Sequence, residues 1–205
     1  MQHNKDLICL QKFADELKRL PGVSFKNLYK MILYFSKLNK VQAQAFSKAL
    51  LDFVDKVEKC SECGALTELK ICTICNNPAR DKTKICVVAN WLDFKNIFQA
   101  EPSYEGVFHL LGGVLSPIEG VGPEDLSIKQ LMERVVNNKV KDIIFALSPT
   151  PEGEVTISYI CDKIKNLGVS GLNIFKIASG VSVGTSLENA DRSTLTQAFA
   201  EMRQI

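Results

Sequence analysis

Apolar positions in residues 10–57 follow the three- and four-residue spacing of amphipathic helices. The first run covers residues 10–20 and stops at Pro21-Gly22, a pair that breaks helices. A second run covers residues 28–35, and a third forms a long apolar stripe over residues 41–57. The pattern predicts a helix, a tight turn and a second helix, followed by a third helix that packs against its neighbours.

From residue 85 onward, short and mainly apolar runs alternate with helical spacing. The short runs, residues 85–89, 107–111, 143–147 and 173–177, are typical of strands in a buried parallel sheet. Helical spacing covers residues 126–136 and 157–167, and a last helix is predicted over residues 193–203. The alternation predicts an α/β fold built on a parallel sheet.

Between these two parts lie two Cys-x-x-Cys pairs, Cys60 with Cys63 and Cys72 with Cys75, separated by eight residues. This spacing brings four thiolates to one tetrahedral zinc ion, and such a closed set leaves no open position for a substrate. We therefore expect one structural zinc ion per chain. A pair of disulfides, which needs an oxidising compartment, and a thioredoxin-like redox site are the alternative interpretations.

The formal net charge of +2 is distributed unevenly along the 205 residues. Residues 1–59 hold 11 Lys/Arg and 6 Asp/Glu, whereas residues 85–205 hold 10 Lys/Arg and 14 Asp/Glu. The excess of basic residues in 1–59 indicates that this part binds a polyanion, whereas the excess of acidic residues in 85–205 gives no such indication. No apolar run has the length of a membrane span, and the start of the chain lacks the apolar core of a signal peptide, so we expect a soluble, cytoplasmic protein.

The turn between the first two helices resembles the hairpin of helix-hairpin-helix DNA-binding motifs, with Ser24 where that motif usually has its second glycine. Backbone amides at such a turn, together with nearby cations, hold phosphates. Lys26 and Lys30 are four residues apart and share one face of the second helix, and Arg19 precedes the turn. We expect these three cations to contact DNA, Arg19 the most weakly. An ordinary αα-hairpin with solvated lysines is the alternative.

Loops that follow the strands of a parallel sheet are the usual ligand sites. Glu152 and Glu154 follow the third strand and would lie in the first turn of a helix capped by Thr150. Acidic residues are favourable at the start of a helix, so no metal is needed to account for them. His109, inside an apolar strand without an orienting partner, is interpreted as a structural histidine. Trp91, the only tryptophan, fits a core anchor and a contact residue equally well.

Together these features resemble the RecR family of bacterial recombination mediators over nearly the whole chain. The family order implies a helix-hairpin-helix region at 1–59, a four-cysteine zinc finger at 60–84, a Toprim domain at 85–178, and a Walker B-like segment with an oligomerisation tail at 179–205. The resemblance is carried by the four cysteines and by residues 20–22, 80–81, 85–88, 109–113, 115–117, 122–126, 150–154, 183–184, 187–191 and 194–195.

The resemblance implies a ring-shaped homotetramer that binds DNA and has no membrane association. It implies that the ring acts with RecO, and in some cases RecF, to load RecA onto single-stranded DNA coated by single-strand binding protein. The acidic residues Asp93, Glu152 and Glu154 are expected to form a docking surface for RecO, because the basic front of the chain attracts the DNA instead. The expected location is the cytoplasm, at the nucleoid.

Several positions depart from the family pattern. Ala89, Phe98 and Ser148 stand where relatives usually have Glu, Glu and Asn. In Toprim enzymes a Glu after the first strand transfers protons and an Asp-x-Asp pair holds magnesium, whereas here these places carry Ala89 and Ser148-Pro149-Thr150. We therefore expect no catalysis. A metal-dependent Toprim nuclease or nucleotidyl-transfer enzyme is the alternative, and a zinc-bearing DNA-binding protein without a recombination role is a third interpretation.

Overall fold

The structure is a computed structural model that describes residues 7–169, 171–178, 180, 184, 186, 188 and 190–200. It divides into two compact units, Met1–Lys56 and Val57–Ile205. Within the segment 179–205, interpreted as Walker B-like with an oligomerisation tail, residues 179, 181–183, 185, 187 and 189 lie outside the described residues, as do residues 201–203 of the predicted last helix and the two residues that follow. No helix in the described ranges is long and apolar enough to cross a membrane.

The described part of the first unit forms three helices, α1 (Ile8–Lys18), α2 (Phe25–Ser36) and α3 (Lys40–Lys56), as the apolar spacing predicts. Phe35 on α2 joins them. Its ring centroid lies 5.0 Å from that of Phe13 on α1 and 5.2 Å from that of Phe46 on α3, both in edge-to-face geometry. Aromatic packing therefore fixes the arrangement of the three helices.

Helix α3 is less buried than its apolar stripe predicts. None of its residues is buried, and Leu50, Phe53 and Val54 are 56%, 55% and 67% exposed. An apolar groove of about 620 Å³ also opens between residues of the three helices. The prediction that α3 is a packing element is met by the contact of Phe46 with Phe35, whereas the stripe at Leu50, Phe53 and Val54 is exposed among the described residues.

The second unit contains a two-stranded hairpin, a four-stranded sheet and four helices among its described residues. In chain order these are β1 (Glu58–Lys59), β2 (Leu66–Thr67), β3 (Asp81–Val88), α4 (Trp91–Ala100), β4 (Gly106–Leu110), α5 (Ile128–Asn137), β5 (Asp142–Ala146), α6 (Pro151–Asn166), β6 (Asn173–Lys176) and α7 (Arg192–Ala200). The larger sheet has the order β4-β3-β5-β6 and is parallel throughout. The predicted α/β fold is confirmed.

The sheet has an apolar layer on each face because side chains alternate along its strands. Ile85 and Val87 of β3 pack with apolar residues of α5 and α6. Cys86 and Val88 point to the other face, where they pack with residues of α4 and with the four predicted metal ligands. The cysteines are therefore part of one of the two cores of the second unit.

Helix α4 and the hairpin of β1 and β2 are absent from the sequence prediction. The Asn90 side chain caps α4 by accepting hydrogen bonds from the amides of Leu92 and Asp93, at 2.8 and 3.0 Å. Phe94 and Ile97 are three residues apart and pack against the core on this face of the sheet, so the sequence carries a helical signal that the prediction overlooks. The hairpin strands have two residues each, which is too short for an alternating pattern.

Candidate metal centre and nucleic-acid interface

The structure brings the four predicted metal ligands together. The Sγ atoms of Cys60, Cys63, Cys72 and Cys75 all lie within 4.8 Å of one another, and all four residues are buried. The Sγ atoms of Cys63 and Cys72 are 3.6 Å apart. Because zinc–sulfur bonds of about 2.3 Å place tetrahedral ligands about 3.8 Å apart, the cluster has the size of a four-thiolate site. Within the described ranges it is the one group of three or more potential ligands.

Each cysteine pair lies in a tight turn that aims its sulfurs inward. The amide of Gly64 donates to the carbonyl oxygen of Cys60 at 3.0 Å, and the hairpin of β1 and β2 encloses this first turn. The amides of Cys72 and Cys75 donate to the Sγ atoms of Cys60 and Cys72, at 3.3 and 3.5 Å. Hydrogen bonds of this kind favour the thiolate form that a metal requires.

The thiols interact strongly with one another. A hydrogen bond with Cys72 is the main cause that raises the pKa of Cys63 to about 12, and hydrogen bonds with Cys63 and Cys72 raise the pKa of Cys75. Hydrogen bonds from Cys63 and Cys75 lower the pKa of Cys72. Four thiolates therefore coexist only around a cation, and the donor set suits a thiolate-preferring divalent metal.

The cysteine module, defined here as residues 58–77, is attached to the outer edge of strand β4. The amide of Leu110 donates to the carbonyl oxygen of Cys63 at 2.8 Å. Gly64 has a φ of +75°, and a Cβ at this position would lie 3.0 Å from the carbonyl oxygen of Leu110. The side-chain amide of Gln130 on α5 donates to the carbonyl oxygen of Ser61. The module therefore covers the carboxyl end of this edge strand.

Side chains cover the other outward groups of β4. Arg80 Nη1 donates to the carbonyl oxygen of Gly106 at 3.0 Å, and Arg134 Nη1 donates to that of Phe108 at 2.8 Å. Ser127 Oγ donates to the carbonyl oxygen of Leu110 at 2.6 Å. Unpaired backbone groups on an edge strand can pair with a strand of another molecule. These hydrogen bonds therefore protect β4 from such pairing.

His109 is a structural histidine, as the sequence indicates. Arg134 Nη1 lies 3.1 Å from His109 Nδ1, and because a guanidinium only donates, Nδ1 is the acceptor. The Nε2 hydrogen is then donated to the carbonyl oxygen of Ser127 at 3.0 Å. Complete burial, with a smaller effect of the Arg134 charge, lowers the pKa of His109 to about 4. The neutral ring links β4 to α5.

The hairpin turn of the first unit depends on Gly22 and not on a second glycine. Gly22 has a φ of +74°, in the left-handed region that favours glycine. Ser24 has a φ of −74° and a ψ of 161°, so any residue fits there. Its Oγ accepts the amide of Asn27 at 3.3 Å and caps α2. The departure at Ser24 is therefore compatible with the turn.

The three predicted DNA contacts lie on either side of this turn, and all are exposed. Lys26 and Lys30 have no ion pair with a carboxylate among the residues that the structure describes. Arg19 Nη1 pairs with Glu16 at 3.0 Å. The two lysines are consequently the more available cations, in agreement with the weaker role expected of Arg19.

The acidic residues predicted to bind a partner lie in the first turns of α4 and α6. These helices follow the neighbouring parallel strands β3 and β5, so both first turns are at the carboxyl edge of the sheet. Asp93 accepts a hydrogen bond from the Asn90 side chain at 2.9 Å, and Glu154 pairs with Lys176 at 2.5 Å. Glu152 is half-buried, and Thr150 caps α6 as expected.

The two places where Toprim enzymes carry carboxylates have structural roles here. Ala89 is buried in the core layer of α5 and α6. The carbonyl oxygen of Ser148 accepts the amide of Thr150 at 2.8 Å, and it lies so close to Gly153 that a Cβ there would collide with it. Both strand ends are therefore closely packed turns.

Comparisons with known proteins agree with this architecture. Residues 83–177 match the family model described as the Toprim domain. The recombination protein RecR of Bacteroides thetaiotaomicron is 38% identical over 92% of this chain and 90% of its own length. The RecR proteins of Chlorobium chlorochromatii and Lacticaseibacillus casei are 37% and 40% identical, over 94% and 92% of this chain and 95% and 94% of their own lengths. The chain belongs to the RecR family of recombination proteins.

Membership of the RecR family confirms the resemblance drawn from the sequence motifs. It also assigns the chain a role in recombination or repair, since its relatives are named recombination proteins. The sheet that carries the cysteine module is the Toprim domain of this RecR-family chain.

Sequence reasoning missed the side chains at and near α5 that bind the edge strand β4 and the cysteine module. Ser127, Gln130 and Arg134 contact backbone atoms that lie 17, 69 and 26 positions away along the chain. A signal existed for Arg134, because it lies on the apolar face of α5 beside the buried Leu131 and Val135. A cation on such a face indicates a buried hydrogen-bonding role.

Proposed function

We propose that this chain is a non-catalytic, DNA-binding recombination mediator. It acts with RecO, and with RecF where that partner exists, to load RecA onto single-stranded DNA coated by single-strand binding protein. The observation that carries the proposal is the pair of exposed lysines, Lys26 and Lys30, on one face of α2 beside the Gly22 turn, in a chain of the RecR family.

The DNA contacts are to phosphates. Lys26 and Lys30 lie in the first two turns of α2, where the helix dipole adds to their charge. Arg19 contributes less because Glu16 competes for its guanidinium. One chain offers few such contacts, so useful affinity comes from repeating them around a homotetrameric ring.

Self-association is supported by the apolar surface that one chain leaves exposed. The stripe of α3 with Leu50, Phe53 and Val54 and the groove beside it belong to the first unit. In the second unit β6 is an edge strand on which Ile174 and Phe175 are 40% and 51% exposed. Exposed apolar surfaces of this extent are typical of protein–protein interfaces, and a ring-shaped homotetramer covers them.

The metal is zinc, bound by Cys60, Cys63, Cys72 and Cys75, one ion per chain. Four thiolates at tetrahedral spacing suit zinc, and four protein ligands leave no position for water or substrate. When bound, the ion supplies the positive charge that allows all four thiolates to ionise. Its role is to hold the cysteine module on β4.

RecO docks at the carboxyl edge of the Toprim sheet, on Asp93, Glu152 and Glu154. The acids lie in the first turns of α4 and α6, which follow the neighbouring strands β3 and β5, and a cluster of acids at this edge suits a basic partner surface. Changing Glu152 and Glu154 to Lys should abolish RecO binding and leave DNA binding intact. Since Lys176 pairs with Glu154, the single change Glu152→Lys tests the surface without opposing that lysine. Glu133→Lys, at an exposed position of α5, is the matched charge control for the single change.

The alternative is a Toprim nuclease or nucleotidyl-transfer enzyme. Ala89 and Ser148 lack the carboxylates for magnesium, and the neighbouring acids already serve as helix-start residues. We therefore infer that purified protein leaves single-stranded and duplex DNA uncut with magnesium or manganese. Cleavage that copurifies with the protein and disappears on Glu152→Gln would favour the enzyme instead.

The proposed organisation keeps a helix-hairpin-helix region at 1–59, the zinc finger at 60–84, the Toprim domain at 85–178 and an oligomerisation tail at 179–205. The protein acts in the cytoplasm at the nucleoid, where its DNA substrate lies. A DNA-binding protein without a recombination role is the remaining alternative, which the RecA-loading measurement in the Discussion separates from a mediator.

A further inference from the structure

A pocket of about 570 Å³ lies between the cysteine module and the carboxyl ends of β3 and β4. Its lining includes Lys59 and Leu66 of the hairpin, Trp91 at the start of α4, Gly112 after β4, and Gln130 of α5. The volume is within the range of about 300–1,000 Å³ that small-ligand sites occupy. All of these residues belong to the second unit, whereas the lysines of α2 belong to the first.

The position of the pocket in the fold favours ligand binding. Strand β3 leads to α4 on the face of the cysteine module, whereas β4 leads to α5 on the opposite face. The chain therefore leaves adjacent strands toward opposite sides, and this divergence opens a crevice at their carboxyl ends. In open parallel sheets, ligands bind at such a switch point.

Trp91 gives this crevice its chemistry. The side chain is 44% exposed and belongs to neither core cluster among the described residues, so its role is not that of a core anchor. Lys95 Nζ lies 5.5 Å from the Trp91 ring centroid, a cation–π distance, and Lys59 is an exposed cation in the pocket lining. Lys95 lies over one face of the ring, so a base can stack only on the other face. A partly exposed aromatic ring with cations beside it is the arrangement that binds unpaired nucleotides, with the base stacked and the phosphate neutralised.

Two carboxylates lie near these cations, and both are hydrogen-bonded within their own loops. Asp125, which lines the pocket, accepts the amide of Gly122 at 2.8 Å. Asp93 accepts the side-chain amide of Asn90 at 2.9 Å. These bonds account for both acids as loop-shaping groups and leave Lys59 and Lys95 without an ion pair in the described ranges.

We propose that this pocket holds one unpaired nucleotide of a DNA single strand, with its base stacked on Trp91 and its phosphate near Lys59 and Lys95. The inference rests on the proposed DNA-binding function and adds a second contact on the Toprim unit. Bases inside a duplex are already stacked and do not enter the pocket, so the contact distinguishes single strands from duplex. Trp91 is a binding residue in this account and takes part in no reaction.

The protein carries its own probe, because Trp91 is its only tryptophan. Full-length protein is titrated with an oligothymidylate, with a duplex of equal length, and with free dTMP and ATP, while tryptophan emission is recorded. The expected result is quenching by the oligothymidylate at its binding concentration and little response to the duplex. Free nucleotides should act only at far higher concentrations. Quenching by dTMP or ATP at concentrations as low as those of the strand would overturn the proposal in favour of a free-nucleotide site.

Variants give a second readout through the anisotropy of a labelled oligonucleotide. Trp91→Ala should weaken single-strand binding about 10-fold, the factor that roughly 1.4 kcal/mol of lost stacking produces, and leave duplex binding unchanged. Trp91→Phe should retain most of the affinity because its ring still stacks. Leu92→Ala, at the adjacent and 60% exposed position, is the matched control and should bind as the parent does.

The outcomes separate this inference from the proposed function. Single-strand binding with unchanged Trp91 emission, and equal affinity of the Trp91→Ala protein, would overturn the pocket proposal and leave the α2 lysines as the DNA site. Failure to bind either DNA form would overturn both. Weakening of single-strand and duplex binding by the same factor would also contradict the pocket, since stacking requires an unpaired base.

Discussion

The backbone amide of Leu110 donates a hydrogen bond to the carbonyl oxygen of Cys63 at 2.8 Å, and this bond ties the cysteine module to the edge of the Toprim sheet. Cys63 is also one of the four predicted metal ligands, so a single residue links the metal site to strand β4. Arg80, Arg134 and Ser127 satisfy neighbouring backbone groups of the same strand. Loss of the metal should therefore also destabilise the edge of the sheet at β4.

The first prediction concerns the metal. Cys60→Ser should abolish metal binding and lower the free energy of unfolding by about 4 kcal/mol or more, because metal-binding energy is folding energy. Metal analysis and chemical unfolding measure both effects, and hydrogen exchange should show weaker protection of the Leu110 amide. Cys9→Ser, an exposed cysteine outside the cluster, is the control and should keep its metal. Native-like stability without any metal would contradict this prediction.

The second prediction concerns the close approach at Gly64. Gly64→Ala forces a left-handed backbone onto alanine and places Cβ 3.0 Å from the carbonyl oxygen of Leu110, so we expect about 2–3 kcal/mol of destabilisation. Gly120→Ala is the matched control, because Gly120 has a φ of +70° and nothing within 4 Å of its Cβ position. Gly120→Ala should lower the stability by only about 1–2 kcal/mol, the cost of a left-handed backbone conformation at alanine. If urea unfolding shows the same loss of stability in Gly64→Ala and Gly120→Ala, the close approach of Gly64 to β4 does not contribute to stability.

The third prediction concerns pH. The pKa of His109 falls from 6.5 to about 4 on folding, so its contribution to stability is complete above pH 6.5 and is lost as the pH falls toward 4. The full contribution is about 3 kcal/mol, since one pKa unit corresponds to about 1.4 kcal/mol. His109→Gln should flatten the pH dependence of the unfolding free energy across this window. Acid also protonates the thiolates, but both proteins share that loss, so an unchanged difference between them across the window would refute the assignment.

The fourth prediction concerns DNA. Lys26→Ala with Lys30→Ala should weaken binding about equally across DNA sequences and reduce the slope of the salt dependence by about one unit for each phosphate that is no longer neutralised. Lys37→Ala with Lys48→Ala removes the same charge from other exposed positions of the first unit and is the matched control. Anisotropy titrations at several salt concentrations measure both pairs. Equal losses of affinity in the two double variants would show that only the net charge matters and would contradict specific phosphate contacts by Lys26 and Lys30.

The features that the sequence predicts best are those with short-range chemical causes. Two Cys-x-x-Cys pairs identify a metal site because each pair already forms a turn by itself, and the apolar run 85–89 identifies β3 because both of its faces are buried. Pro21-Gly22 likewise marks the turn that Gly22 makes with its positive φ. In each case neighbouring residues determine the outcome.

The features that the sequence misses depend on distant partners or weak contrast. Gln130 reaches Ser61 across 69 positions, and no local pattern carries that hydrogen bond. Helix α4 has apolar residues at helical spacing, Phe94, Ile97 and Phe98, but this stripe covers little more than one turn and none of the residues of α4 is fully buried. The stripe of α3 is the opposite case, since its periodicity is clear but none of its residues is buried in the part of the chain that the structure describes.

The measurement that tests the central claim most directly is RecA loading on single-stranded DNA coated by single-strand binding protein. The account predicts that the protein together with RecO shortens the delay before RecA filaments form, and that neither protein does so alone. The Lys26→Ala, Lys30→Ala protein should lose this effect, whereas the Lys37→Ala, Lys48→Ala protein should keep it. An unchanged delay with the complete set of wild-type components would contradict the mediator function.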